Sequence, residues 1–178
     1  LLHGFQIWVN LPAKHKMMAP RYQEIPELDS PAVQQDGVWA RVIAGECMGV
    51  TSTIDTVIPI TLIHVKMEKD AVLTQKIGAE LNGMIYAFGG SVNVVNRMGV
   101  RSNPLPLGFG VKQQVSDGEL ALLTEGDVIE IRCDQSAELL ILAGPEINEP
   151  IARYGPFVMN TREEIHQAVI DYQNGTLA

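Results

Sequence analysis

Phe5, Ile7, Val9 and Leu11 alternate with Gln6, Trp8 and Asn10, a period of two that predicts a strand. Pro12 closes it, because proline cannot donate to a ladder. Residues 13–37 read as an extended linker: Pro20, Pro26 and Pro31 disfavour helix, and the segment closes on Asp36-Gly37. From Val38 onward short apolar runs alternate with turn signals. Val38–Ile43, Thr51–Thr56, Ile60–Met67, Met84–Phe88, Ser91–Val95, Glu119–Leu123, Val128–Arg132 and Leu139–Ala143 are expected strands. Asn82-Gly83 reads as a turn or break, Gly89-Gly90 as a turn, and Asn96–Asp117 as a long glycine- and proline-rich excursion. Many short strands without intervening helices predict an all-β barrel or sandwich. The end differs. Ile165, Ala168, Val169 and Tyr172 share one helical face, Thr161 and Glu164 form a capping box, and Gly175 supplies the stop.

Composition narrows the function classes. Of 178 residues, 46% are hydrophobic and 19% charged, a balance that supports a packed core. The net charge of −8, with 13 scattered Lys and Arg, argues against direct nucleic-acid binding, which needs a basic stripe. No apolar run reaches the length of a membrane span. Cys47 and Cys133 form no Cys-x-x-Cys and sit in apolar runs, so both read as small core residues. A cytoplasmic location is the default expectation. The chain opens inside a hydrophobic pattern without methionine, as a fragment or truncated frame would.

Three stretches are similar to the pirin family of the cupin superfamily. One is His3-Gly4-Phe5-Gln6-Ile7-Trp8-Val9-Asn10-Leu11-Pro12 with Pro20-Arg21-Tyr22-Gln23. The second is Met84-Ile85-Tyr86-Ala87-Phe88 with Gly90. The most specific runs from Ala143-Gly144-Pro145 through Glu149-Pro150-Ile151 and Tyr154-Gly155-Pro156-Phe157-Val158-Met159-Asn160-Thr161 to Glu164-Ile165. The resemblance implies two double-stranded β-helix (jelly-roll) barrels in the intact protein, with one metal, usually iron, in the N-terminal one. That metal is held by a His-x-His and a His-x-Glu pair, both upstream of Phe5. It implies four segments here: residues 1–12 as a strand of the N-terminal cupin, 13–37 as linker, 38–160 as the C-terminal cupin barrel and 161–175 as the helix. Intact members are implied to be quercetin 2,3-dioxygenases or regulators that engage a transcription-factor complex or metabolic enzymes.

Within this chain the ligand positions of a cupin fall near Lys76 and Gly78, and near Leu139 and Ile141, where no donor set for non-haem iron exists. The histidines His3, His15, His64 and His166 are not at ligand spacing. His64, between Ile63 and Val65, reads as an outward or hydrogen-bonded side chain rather than an interior acid/base. Gly89-Gly90-Ser91 and Gly108-Phe109-Gly110 precede no helix and are turns, not phosphate loops. Glu146 and Glu149 read as a solvated loop face before a catalytic pair. No catalytic, cofactor-binding or metal-ligating residue is therefore assigned, and no cofactor is expected in this chain. The expected role is a structural or protein-binding module; the alternative is a brace for a dioxygenase barrel. The expected partner is another protein or the N-terminal cupin half, with self-association through residues 1–12.

Overall fold

The computed structural model describes residues 4–96, 114–124 and 126–177. Asp36 and Gly37 both take positive φ, 50° and 77°, the backbone of a two-residue hairpin turn whose twist matches that of its strands. This turn joins β1 (Ala32–Gln35) to β2 (Val38–Ala44), with Gln35 opposite Val38. The predicted linker therefore ends in a strand, and Ala13–His15 and Glu27–Asp29 each make one 3₁₀ turn within it. Prolines 12 and 26 immediately precede these turns.

Along β2 the side chains of Val38, Ala40, Val42 and Ala44 point into the core while Trp39 and Arg41 point out. The short β3 (Glu46–Cys47) and β4 (Val50–Thr51) pair with each other. The strand expected over Thr51–Thr56 thus stops at Thr51. Next come β5 (Thr61–Met67), β6 (Val72–Lys76) and β7 (Leu81–Asn96). After the undescribed segment follow β8 (Gln114–Ser116), β9 (Leu120–Leu122), β10 (Val128–Arg132) and β11 (Ala137–Pro145). Most of the predicted Asn96–Asp117 excursion lies outside the described residues, as does His3.

One curled antiparallel sheet runs β1-β2-β5-β11-β7-β10-β6, with β8 and β9 also paired to β7. The 16-residue β7 holds it together. Its first half pairs with β11 and β9, its second half with β10 and β8. Gly89-Gly90 is accordingly a bulge inside one strand, not a turn between two. Leu139 faces Ala87 and Glu138 faces Gly89, so Phe88 is the extra residue. Asn82 and Gly83 are likewise ladder members, opposite Gly144 and Ala143. Strand β6 was not anticipated; Lys69-Asp70 turns the chain and Cys133 fixes it, accepting from Asp70 N and donating to Ala71 O.

The core is aliphatic. Ile63, Val65, Leu73, Ile85, Ile131, Leu139 and Ile141 are at most 1% exposed. Each such side chain contributes about 1.5–3 kcal/mol when fully buried. Cys47 and Cys133 are free thiols in this core, and burial, with Glu46 alongside, pushes the Cys47 thiol up to about 11.

The chain divides into two compact units: residues 24–146, which carry the curled sheet, and residues 1–23 with 147–178. In the second unit β12 (Ala152–Tyr154) and β13 (Phe157–Met159) form a hairpin, against which α1 (Arg162–Asn174) packs. Residues 4–12, expected as a strand, join no ladder among the described residues. The predicted caps of α1 are present. Thr161 accepts from Glu164 N at 3.1 Å, Glu164 accepts from Thr161 N at 2.9 Å, and Gly175 ends the helix in the left-handed region. Thr161→Ala is expected to lower stability by about 1 kcal/mol, read from the urea midpoint. The helix buries little else: Ala168 is its one buried side chain and Ile165 is half-buried.

Candidate functional site

The resemblance to cupins implies that a metal site, where a barrel has one, lies in the barrel interior. Leu139 and Ile141, at the predicted positions of the second ligand pair, are both 0% exposed and point into the aliphatic core. Lys76 is exposed at the end of β6, and Gly78 follows it without a donor. Gln75 is the buried polar side chain that lies on the core-facing row of β6, and its amide donates to the carbonyls of Glu46 and Lys76, both at 2.8 Å. Among the described residues no three His, Cys, Asp or Glu side chains come together. Aliphatic side chains carry no donor atom and do not fit non-haem iron, which needs imidazole and carboxylate ligands.

The polar chemistry lies on the outer face of the same strands. Cross-strand register puts Trp39 beside Lys66 and Lys66 beside Glu138, and Arg41 beside His64 and His64 beside Leu140. Tyr86 continues the second row. His64 Nε2 lies 2.6 Å from Glu138 Oε1, and Lys66 Nζ is 3.4 Å from the same oxygen. The Trp39 ring meets the His64 ring edge-on at 5.3 Å, with the Arg41 guanidinium and the Lys66 ammonium 5.3 and 5.6 Å from its centroid. Phe88 covers the other side of His64 at 5.6 Å. Arg41 also bonds Glu27 at 3.0 Å, while its Nε is buried with no partner among the described residues. His64 is thus the outward, hydrogen-bonded histidine expected from the sequence.

Burial holds His64 below the usual histidine range, against the pull of the Glu138 bond, and Lys66 and Arg41 push the same way as burial. The ring is therefore neutral near pH 7 and donates Nε2–H to the carboxylate. For Glu138, burial alone would raise the carboxyl; the bonds from His64 and Lys66 outweigh it and hold it below the usual range. Both shifts have one consequence. A histidine depressed by folding binds its proton better in the unfolded chain, so stability falls as pH drops through the usual histidine value. A depressed glutamate stabilises above the usual carboxylate value and loses that contribution as pH falls through its folded value. Thermal unfolding of His64→Gln is expected to show a flatter pH dependence between about pH 5 and 7 than the parent chain.

The most family-specific motif proves to be a clasp in the second unit. Glu149 Oε2 accepts from Ala13 N at 2.6 Å and from Asn160 Nδ2 at 2.9 Å, so it ties the start of the chain to the hairpin. Asn160 also donates to Pro150 O at 3.0 Å. Glu149 is thus a loop carboxylate that carries structural hydrogen bonds. Glu146 accepts from Asn82 at 3.0 Å, and the two carboxylates serve separate structural bonds. The Glu149 contact spans 136 residues, and no local pattern could have revealed it.

The family described as "Pirin C-terminal cupin domain" matches residues 62–178. The chain is similar to Pirin of Mus musculus, 34% identical over 174 residues that make up 97% of this chain and 56% of the mouse protein. It is also similar to Pirin-1 of Arabidopsis thaliana, 30% identical over 97% of this chain and 57% of that protein. A crystal structure of quercetin 2,3-dioxygenase from Acinetobacter baumannii superimposes with a TM-score of 0.79 at 29% identity, over 96% of this chain and 55% of that one. The chain spans about half the length of the relatives it matches.

Proposed function

The chain belongs to the pirin family, and from that premise we propose that its barrel is a non-catalytic module that works by binding protein. The observation that carries this reading is the exchange of roles between the two faces of β5 and β11. The interior row, where the ligands of a cupin would point, is Ile63, Val65, Leu139 and Ile141. The outer row carries the Trp39, His64, Lys66, Phe88 and Glu138 cluster with Arg41 against Trp39, and its aromatic groups and arginine are of the kind enriched where proteins meet. Residues 1–12 belong, on this reading, to the strand system of a preceding cupin in the longer relatives. The exposed Trp8 and Val9 then offer an apolar segment for association, with that cupin or with a second copy of the chain.

A second reading is supported by the Acinetobacter baumannii structure. Here the chain is one half of a quercetin 2,3-dioxygenase-type enzyme whose metal, iron in the family's usual form, lies in the other half, and this barrel braces it. No helix among the described residues is long and apolar enough to cross a membrane.

The two readings agree about this chain alone and predict the same result. Purified protein incubated with ferrous iron and passed through a desalting column is expected to retain far less than one metal per chain by elemental analysis, and to leave quercetin unchanged against buffer. Near-stoichiometric metal, or quercetin loss above the buffer rate, would sink the non-catalytic proposal.

A further inference from the structure

The outer sheet face carries its rings in a row. Trp39 of β2, His64 of β5, and Phe88 and Tyr86 of β7 are all half-buried. They follow one another at centroid separations of 5.3, 5.6 and 6.3 Å. In the bulge, Phe88 shares the position opposite Glu138 with Gly89, and a Cβ on Gly89 would come within 3.2 Å of the Glu138 Cβ. Glycine keeps that position open. The water-facing row of an antiparallel sheet is ordinarily polar, so rings laid across three strands mark a face that receives something.

The row also holds donors without acceptors. Arg41 Nε is buried and bonds nothing among the described residues, while Nη2 is held by Glu27 at 3.0 Å. The Trp39 indole N–H has no acceptor among the described residues either. A buried donor left unmade is costly, and an incoming acceptor recovers that cost. The face therefore offers rings and N–H groups and lacks acceptors. An extended proline-rich segment has the matching chemistry. Its prolines carry no N–H, its carbonyls make no internal bonds, and its rings dock on aromatic side chains. A helix spends its carbonyls internally, and an added strand pairs with a sheet edge rather than a face.

The chain contains a partial precedent. Pro26, with φ −57° and ψ 153°, is in the polyproline II region and delivers Glu27 to Arg41. The Glu27 side chain is 79% exposed, and an exposed pair of this kind contributes little and exchanges easily.

We propose that the row from Trp39 to Tyr86 is a docking face for an extended, proline-rich segment of a partner protein that bears a carboxylate, with Arg41 as its anchor. The inference rests on the binding-module reading and names the class of partner. The aromatic rings take the pyrrolidine groups, and the Trp39 indole donates to a carbonyl of the segment. The carboxylate displaces Glu27 and engages Nη2 together with Nε, the two-pronged geometry that arginine favours.

The test uses Trp39 as its own reporter. Trp8→Phe leaves Trp39 as the sole tryptophan of the chain, so its emission reads this face alone. The probe is a blocked peptide of six prolines around one glutamate; in the control peptide serine and glycine replace the prolines. The proline peptide is expected to shift Trp39 emission saturably, and the control to bind at least tenfold more weakly. Arg41→Lys, which keeps the charge and removes Nε, should weaken the proline peptide at least fivefold, and Glu27→Gln should tighten it two- to fivefold. An equal response to the two peptides, or no saturable shift, would overturn the inference. So would binding that Arg41→Lys leaves unchanged. A dimer seen by light scattering and dissolved by Trp39→Ser would give the face to a second copy and overturn it equally. Those failures would leave the non-catalytic reading standing, because the iron and quercetin measurements decide it separately.

Discussion

Gly90→Ala is expected to destabilise the barrel by about 4 kcal/mol or more, enough to leave little folded protein in a domain of ordinary stability. Gly90 has φ +71°, and a Cβ built on it would sit 2.1 Å from Ser136 O and 3.2 Å from Ala137 Cα. Both are backbone atoms, so no rotamer change relieves the overlap. Ala137 is also the ladder partner of Gly90, which means that moving one strand away breaks the pairing that curls the sheet. The control is Gly118→Ala. Gly118 has φ +76° with nothing within 4 Å of its Cβ position, so only the intrinsic cost of a left-handed alanine applies, about 1–2 kcal/mol. Urea denaturation of the two variants separates close approach from conformation. Equal midpoints would mean that the bulge has room and that β7 is not the hinge of the sheet.

The same glycine explains what the sequence could and could not reveal. A Gly-Gly pair between two apolar runs has the signature of a turn, and a bulge within a long strand uses the same left-handed backbone for a different end. Only the register of β11, contributed by residues 137–145, distinguishes them. The Asp36-Gly37 hairpin was more accessible, since Asp-Gly is the preferred pair for that turn; the prolines upstream drew the reading toward an extended linker. Alternation alone would have found β6, where Leu73 and Gln75 are buried and Val72 and Thr74 are not, but the polar Gln75 broke the pattern. The helix caps were legible because the two ends of a capping box lie only three positions apart. The outer cluster was not, because Glu138 lies 74 residues from the His64 it bonds. Contacts set by sheet register leave no trace in local spacing.

The remaining large effect tests the nature of the interior itself. Leu139→Ala removes a side chain that is 0% exposed, on the central strand β11 between β5 and β7. In a close-packed core the loss is transfer energy plus cavity, about 2–5 kcal/mol. In a polar, hydrated pocket of the kind that holds a metal, water would fill the space and the cost would be far smaller. The surroundings here are Ile63, Val65, Ile85, Ala87 and Ile141, all 0% exposed, and a cavity among them would stay dry. We therefore expect the full penalty in the denaturation midpoint, against less than about 0.5 kcal/mol for Leu122→Ala, whose side chain is 75% exposed. A Leu139→Ala variant as stable as the Leu122→Ala control would mean that the position lines a solvated pocket. The interior of this barrel would then be open to a ligand, and the assignment of its working surface to the outer face would have to be abandoned.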